Sequence, residues 1–302
     1  MDGIFSLWSE PRPNHCPDLS RLELVLLALS VLEWRRWNGR ALLFCDRRYA
    51  RYFDRIGLMS LWDAVDEETI ESANSLEINP ASFWSIARLL AFAAAAIPFA
   101  SIDCDLIVWR SLASEFKSGE IAFTHWESTA VSPWYPRPRD LSTPVTYRVD
   151  ERRDWSLRAA NVSLAYFGNG EVRDTYVSEA LRFTVGNTAP PRPDLGVAPE
   201  LLFAEQRLLP VVAAELGVAV KPFIEATYSP ELEKFETHDP RFGKWEPPRV
   251  GDQSTGITHL WMYKRSLAPG SAALLSLEAE LTARLRFDHP VAAEVLSRSG
   301  II

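Results

Sequence analysis

An α/β fold with a mostly parallel central sheet flanked by helices is predicted by three observations. Short apolar runs alternate with stretches of helical periodicity along the first half of the chain. The runs at 3–8, 41–45 and 99–109 carry few charges, the pattern of strands covered on both faces. The third is interrupted by Asp103-Cys-Asp105, and open parallel sheets collect ligands at the carboxyl ends of their strands.

Residues 3–8 predict the first strand, and Pro11, Pro13 and Pro17 then hold an extended loop, since proline cannot feed a sheet ladder. Ser20 and Glu23 have capping-box spacing. Leu22, Val25, Leu26, Leu29 and Leu32 recur at helical intervals, which predicts a helix over 21–37 ended by Asn38-Gly39. Residues 41–45 predict a second strand, 47–56 a short helix stopped by Gly57, and 61–65 a third strand. Asn79-Pro80 reads as the cap and first turn of a helix whose alanine-rich body, 83–96, stops before Pro98.

Strands are predicted at 121–124 and 158–167, with a proline- and arginine-bearing loop at 132–144 and a turn at Gly168-Asn-Gly170. Residues 172–183 predict a helix, 186–199 a connector, 200–216 a helix kinked at Pro210, and 218–223 a strand. The polar stretch 238–256 has the length of a lid or a disordered segment, and 272–285 predicts an amphipathic surface helix. No repeat and no second core are evident, so a single domain over 1–302 is expected.

The chain has 302 residues, 47% hydrophobic and 24% charged, an ordinary globular composition. Forty acids against 32 bases leave −8, which disfavours nucleic acid as a partner. Cys16, Cys45 and Cys104 form neither a CxxC pair nor an even framework and point to a reduced, cytoplasmic setting. No signal-peptide n-region is seen, and the longest charge-free apolar stretch, 89–102, is too short for a transmembrane span.

Read as strand, Asp103 and Asp105 share one face about 7 Å apart. Two acids at a buried strand end repel unless a cation sits between them, so Asp-Cys-Asp reads either as a divalent-metal site or as exposed turn acids. Cys104 between them would point into the core, where thiols are inert.

The Asp-x-Asp pair, the helix before it and His259 resemble the glycosyltransferases of the GT-A fold, and within them a bacterial group allied to the Asp-x-Asp sugar-region transferases. The matching segments are Trp84-Ser-Ile-Ala-Arg88, Ile102-Asp-Cys-Asp-Leu-Ile-Val-Trp109, Asn161-Val-Ser163, Glu205-Gln206 and His259-Leu-Trp-Met-Tyr-Lys264, in that order over most of the chain. The resemblance implies a nucleotide-binding half over 1–125, a sugar and acceptor half with a lid loop over 126–265, and a helical tail over 266–302. It further implies transfer of a sugar from a nucleotide diphosphate sugar to a glycan, lipid-linked or small-molecule acceptor, with retention favoured slightly.

By that resemblance Asp105 ligates Mn²⁺ or Mg²⁺, Asp103 binds metal or sugar hydroxyls, and His259 supplies a third ligand; an imidazole among carboxylates suits Mn²⁺ better. Lys264 and Arg265 would reach the diphosphate and Arg88 would lie near the donor, Trp8 and Trp84 would sit in the core or stack on a sugar or base, and Asn161, Glu205 and Gln206 would contact sugar or acceptor. For His259 the alternative is a hydrogen-bonded core histidine, for Lys264 a solvated charge, and for Asn161, Glu205 and Gln206 ordinary capping or surface groups. Ser163 and Met262 stand where the group has glycine, which keeps open a degenerate binding or scaffolding protein. Nucleotidyltransferase or hydrolase chemistry would also use paired carboxylates. No P-loop, Gly-x-Ser-x-Gly elbow or His-Glu-x-x-His occurs.

Overall fold

The structure, a computed structural model, describes residues 1–129, 133–229, 256–260 and 270–302, with the backbone alone at 234–235. Strand β1 (Asp2–Leu7) sends Phe5 into one apolar layer and Ile4 into the other, each at most 1% exposed. That two-sided burial places it inside a sheet, parallel to β2 (Ala41–Cys45) on one side and to β4 (Phe99–Ile102) on the other. β3 (Ala64–Asp66) continues the parallel run beyond β2. Past β4 lie β9 (Leu164–Phe167), then β6 (Ile121–Phe123) and β10 (Val220–Pro222), giving the order β10-β6-β9-β4-β1-β2-β3. Of these seven only β9 is reversed, so the mixed α/β class with a mostly parallel sheet is as the sequence predicts.

Helix α1 (Arg21–Trp37) starts at a complete capping box: the Glu23 N–H donates to the Ser20 hydroxyl and the Ser20 N–H to the Glu23 carboxylate. It lies on the sheet through Trp34, which is fully buried. A Cβ on Gly3 would stand 2.2 Å from the Trp34 Nε1, so only glycine lets the indole rest on β1. Asp46 caps α2 (Arg47–Arg55) by accepting the Tyr49 N–H at 2.9 Å.

Four elements depart from expectation. Asn79 holds a turn, its Oδ1 accepting the Ala81 N–H and its carbonyl the Phe83 N–H, and α3 (Ile86–Ala94) begins only after Ser85. The run 99–109 breaks after β4, turns through Asp103-Cys-Asp105 and resumes as β5 (Leu106–Val108), which joins a different, two-stranded sheet. The run 158–167 divides likewise into β8 (Ala159–Ala160) and β9, because the backbone of 161–163 bonds Thr124, His125 and Asp103 as it passes between sheets. The helix over 200–216 is interrupted ahead of Pro210: α5 (Pro199–Leu202) runs into a π-turn at Phe203–Arg207 and then α6 (Leu208–Glu215). A proline ring opposes the carbonyl four residues back, here Gln206, and the wider π-turn relieves it there.

A four-stranded sheet of β12 (Lys234–Phe235), β11 (Thr227–Ser229), β7 (Trp126–Glu127) and β8 flanks the main one. The tail is more than a surface helix. α7 (Ala272–Asp288) buries Leu277, Leu281 and Leu285 against α1 and is followed by α8 (Pro290–Arg298). Its buried Arg284 stacks 4.6 Å over the Trp109 ring, and His289 meets the fully buried Glu33 of α1 at 2.8 Å. Among the described residues no helix is long and apolar enough to cross a membrane.

If the tail is core, Leu281→Ala should destabilise by about 2–5 kcal/mol in urea titration. Leu275→Ala, at a position 57% exposed, should stay within about 0.5 kcal/mol of the parent. Equal small effects would return the helix to the surface.

Candidate metal and ligand site

A cavity of about 740 Å³ opens at the carboxyl ends of β1 and β4. Where β4 ends, the Asp103 N–H donates to the Ser163 carbonyl at 2.8 Å, and the Leu106 N–H closes the turn on the Asp103 carbonyl at 3.0 Å. The Ser30 hydroxyl of α1 pins the same turn from below by donating to the Leu106 carbonyl. β5 then pairs antiparallel with β13 (Ile257–His259), His259 opposite Leu106, and the Leu260 N–H donates to the Asp105 carbonyl. A distant segment is thereby brought beside the two acids.

The His259 Nε2 lies 3.6 Å from the Asp105 Oδ1 and 4.0 Å from the Asp103 Oδ2. One ligand atom from each of Asp103, Asp105 and His259 falls within 4.8 Å of the other two. The turn, rather than strand alternation, brings the carboxylates together. Two carboxylate oxygens and an imidazole nitrogen this close together are a donor set that fits a divalent cation.

Arg88 lies beside this triad, but its terminal nitrogens are committed to protein carboxylates. Nη2 pairs with the Asp103 Oδ1 and Nη1 donates to the Glu205 Oε1 at 2.6 Å. Arg88 therefore bridges Asp103 and Glu205. Glu205, fully enclosed in the π-turn, is pushed above the usual carboxylate range by burial, against which Arg88 pulls down. The Tyr176 hydroxyl donates to the Glu205 carbonyl and holds that turn.

Other expected residues also line the cavity. Gln206 accepts from the Tyr135 hydroxyl at 2.5 Å. Trp8 is buried and donates from its indole to Asn74, whereas Trp84 is 45% exposed at the cavity wall. Asn161 donates to Glu127 and Cys104, expected in the core, is half-buried on the cavity wall. Lys264, Met262 and nearly all of 238–256 lie outside the described residues.

Glu127 escaped the sequence reading, as did Arg12, Tyr49, His125 and Tyr135. Arg12 pairs with Glu23 at 3.0 Å beside Tyr49, and all three line the cavity. Burial drives the Glu127 carboxyl up to about 8 and the neighbouring His125 imidazole down to about 3. A signal for this pair exists: His125 and Glu127 alternate just past the predicted strand 121–124, so both share a face.

No known family model matches the sequence, and no curated protein matches it. Among solved structures the chain is similar to an active-site mutant of LgtC, described elsewhere as a galactosyltransferase, at 9% identity and a TM-score of 0.44 over 92% of this chain and 95% of that one. It is also similar to mouse xyloside xylosyltransferase 1, at 11% identity and 0.41 over 73% and 85%. The inositol-1-phosphate CTP transferase of T. maritima follows at 12% identity and 0.40 over 93% and 96%. At these values the likeness concerns the course of the chain, not its chemistry.

Two outcomes follow for the buried acids. Arg88→Met leaves Glu205 buried without its cation and should destabilise by about 3–5 kcal/mol in urea, with a mutant as stable as the parent excluding the bridge. The folded chain holds a proton on Glu127 between the ordinary 4.5 and about 8 that the unfolded chain has released, so this group makes stability fall as pH rises through that window. Glu127→Gln should therefore lose less stability than the parent from acid to mildly alkaline pH, and identical slopes would refute the assignment.

Proposed function

We propose that the protein is a metal-dependent glycosyltransferase that takes a sugar from a nucleotide diphosphate sugar. The observation that carries this is the convergence of Asp103, Asp105 and His259 on one point at the wall of a cavity of about 740 Å³, the size range of small-molecule sites. A divalent cation held there supplies Lewis-acid neutralisation of the charge that grows on a leaving diphosphate. Asp105 and His259 are its ligands; Asp103 shares its two oxygens between that point and Arg88.

The other residues divide the remaining work. Glu205 fixes Arg88 and through it Asp103, so its role is positioning. Trp84, exposed at the cavity wall, offers an apolar face for a base or sugar ring. Gln206 and Tyr135 present paired polar groups to the sugar, and Lys264 is the proposed cation for the diphosphate. Retention fits this inventory. Of the two buried glutamates lining the cavity among the described residues, Glu205 is ion-paired and burial raises Glu127 to about 8, which makes neither the ready base an inverting displacement needs.

Calorimetric titration of UDP and GDP with Mn²⁺, with Mg²⁺ and with chelator tests the reading. One nucleotide should bind with metal, and Asp105→Ala should weaken it by at least about tenfold, or about 1.4 kcal/mol. Absence of binding to either nucleotide under every condition would sink the enzyme in favour of a scaffold. Release of free sugar from donor in the presence of excess candidate acceptors would instead favour a hydrolase.

A further inference from the structure

Resting on the transferase reading, we propose that Glu127 and Asn161 form a subsite for a hydroxyl of a neutral sugar, with Glu127 Oε2 donating the hydrogen bond. Glu127 stands on β7, 5% exposed yet part of the cavity wall, and Asn161 is 7% exposed beside it. Their orientation is dictated by one backbone group. The Ser163 N–H can only donate, so the Asn161 atom facing it at 3.2 Å is Oδ1, which also accepts the Ser163 hydroxyl at 2.5 Å. The Asn161 Nδ2 must then point the other way, and it donates to the Glu127 Oε1 at 2.8 Å.

The relay begins further back. The Thr124 hydroxyl accepts the Leu164 N–H at 2.7 Å and stands 2.8 Å from the Ser163 hydroxyl. With Oε1 fixed as an acceptor, a proton on this carboxyl belongs on Oε2. The Ser163 hydroxyl adds a second donor to the oxygen that its own N–H already holds.

The surroundings keep that proton in place. Just before β7 the His125 imidazole is pushed down to about 3, its Nδ1 3.9 Å from Glu127 Oε1 and turned to the Trp126 carbonyl. On β11 the residue opposite Glu127 is Tyr228, and Arg158 is engaged by the Trp126 ring and Thr227. Across the cavity stand Asp103, Asp105, Glu205 and His259, with Arg88 held by two of those acids. Among the described residues no cation is paired with Glu127, and burial raises it to about 8. An anionic ligand group would find no countercharge here. A hydroxyl finds a carboxyl donor and, in Asn161 and Tyr228, further polar neighbours.

The test uses the full chain with Mn²⁺ and whichever of UDP and GDP calorimetry selects. In the donor arm, the affinity of a panel of nucleotide sugars is compared with that of the bare nucleotide. In the acceptor arm, saturation-transfer NMR follows neutral methyl glycosides added to the nucleotide–Mn²⁺ complex. Glu127→Ala should lose the sugar's contribution roughly five- to tenfold in one arm, which says whether donor or acceptor occupies the subsite, while Glu127→Gln keeps it within about twofold. Bare nucleotide–Mn²⁺ affinity should be the same in parent and both variants, which certifies folding.

Infrared difference spectra of parent against Glu127→Gln at neutral pH should show a protonated-carboxyl band. A parent without metal-dependent nucleotide binding defeats the transferase reading, and the infrared band still reports on Glu127 by itself. The subsite is overturned if Glu127→Ala keeps the sugar contribution in both arms, if Glu127→Gln loses as much as Glu127→Ala, or if the band is absent.

Discussion

The Arg88 guanidinium stands between Asp103 and Glu205, and the geometry of the site depends on that bridge. Buried charges need partners, and here one rigid fork serves two acids on elements far apart in sequence. It fixes the rotamer of Asp103, so that the second oxygen faces His259 and Asp105. It also ties the π-turn to the end of β4. A lysine in its place would supply one point charge and could not hold both carboxylates in a plane.

Around this bridge similar acids meet different surroundings within one cavity. Asp103 and Asp105 meet an imidazole where a cation fits, Glu205 is paired with Arg88, and Glu127 accepts from the Asn161 amide with His125 and Tyr228 close by. Burial sets the last apart: among the described residues no cation is paired with it, and its carboxyl is pushed up to about 8.

Much of this was legible in local patterns. Alternation and helical spacing were enough for β1, α1, β2 and α2, because both ends of each element are marked by caps, glycines or prolines. The Asp-x-Asp pair announced itself as two charges inside an apolar run. Elsewhere local pattern misled. Residues 99–109 and 158–167 read as continuous strands because both halves of each are apolar, and nothing local says that the halves belong to different sheets. Asn79-Pro80 carried a good cap signal, yet Asn79 serves a turn. The tail helix looked amphipathic and peripheral because its buried partners, Glu33 and Trp109, lie far away in the sequence.

By itself, the sequence determined the α/β class, the order of its first elements and the chemical types at the site, since these rest on periodicity and capping within a dozen residues. Only the tertiary structure decided that β13 seats His259 on Asp105, that Arg88 faces inward to two acids, and that Glu127 joins Asn161. Each of those depends on contacts between segments whose meeting is set by packing of the whole sheet, and no local spacing encodes it.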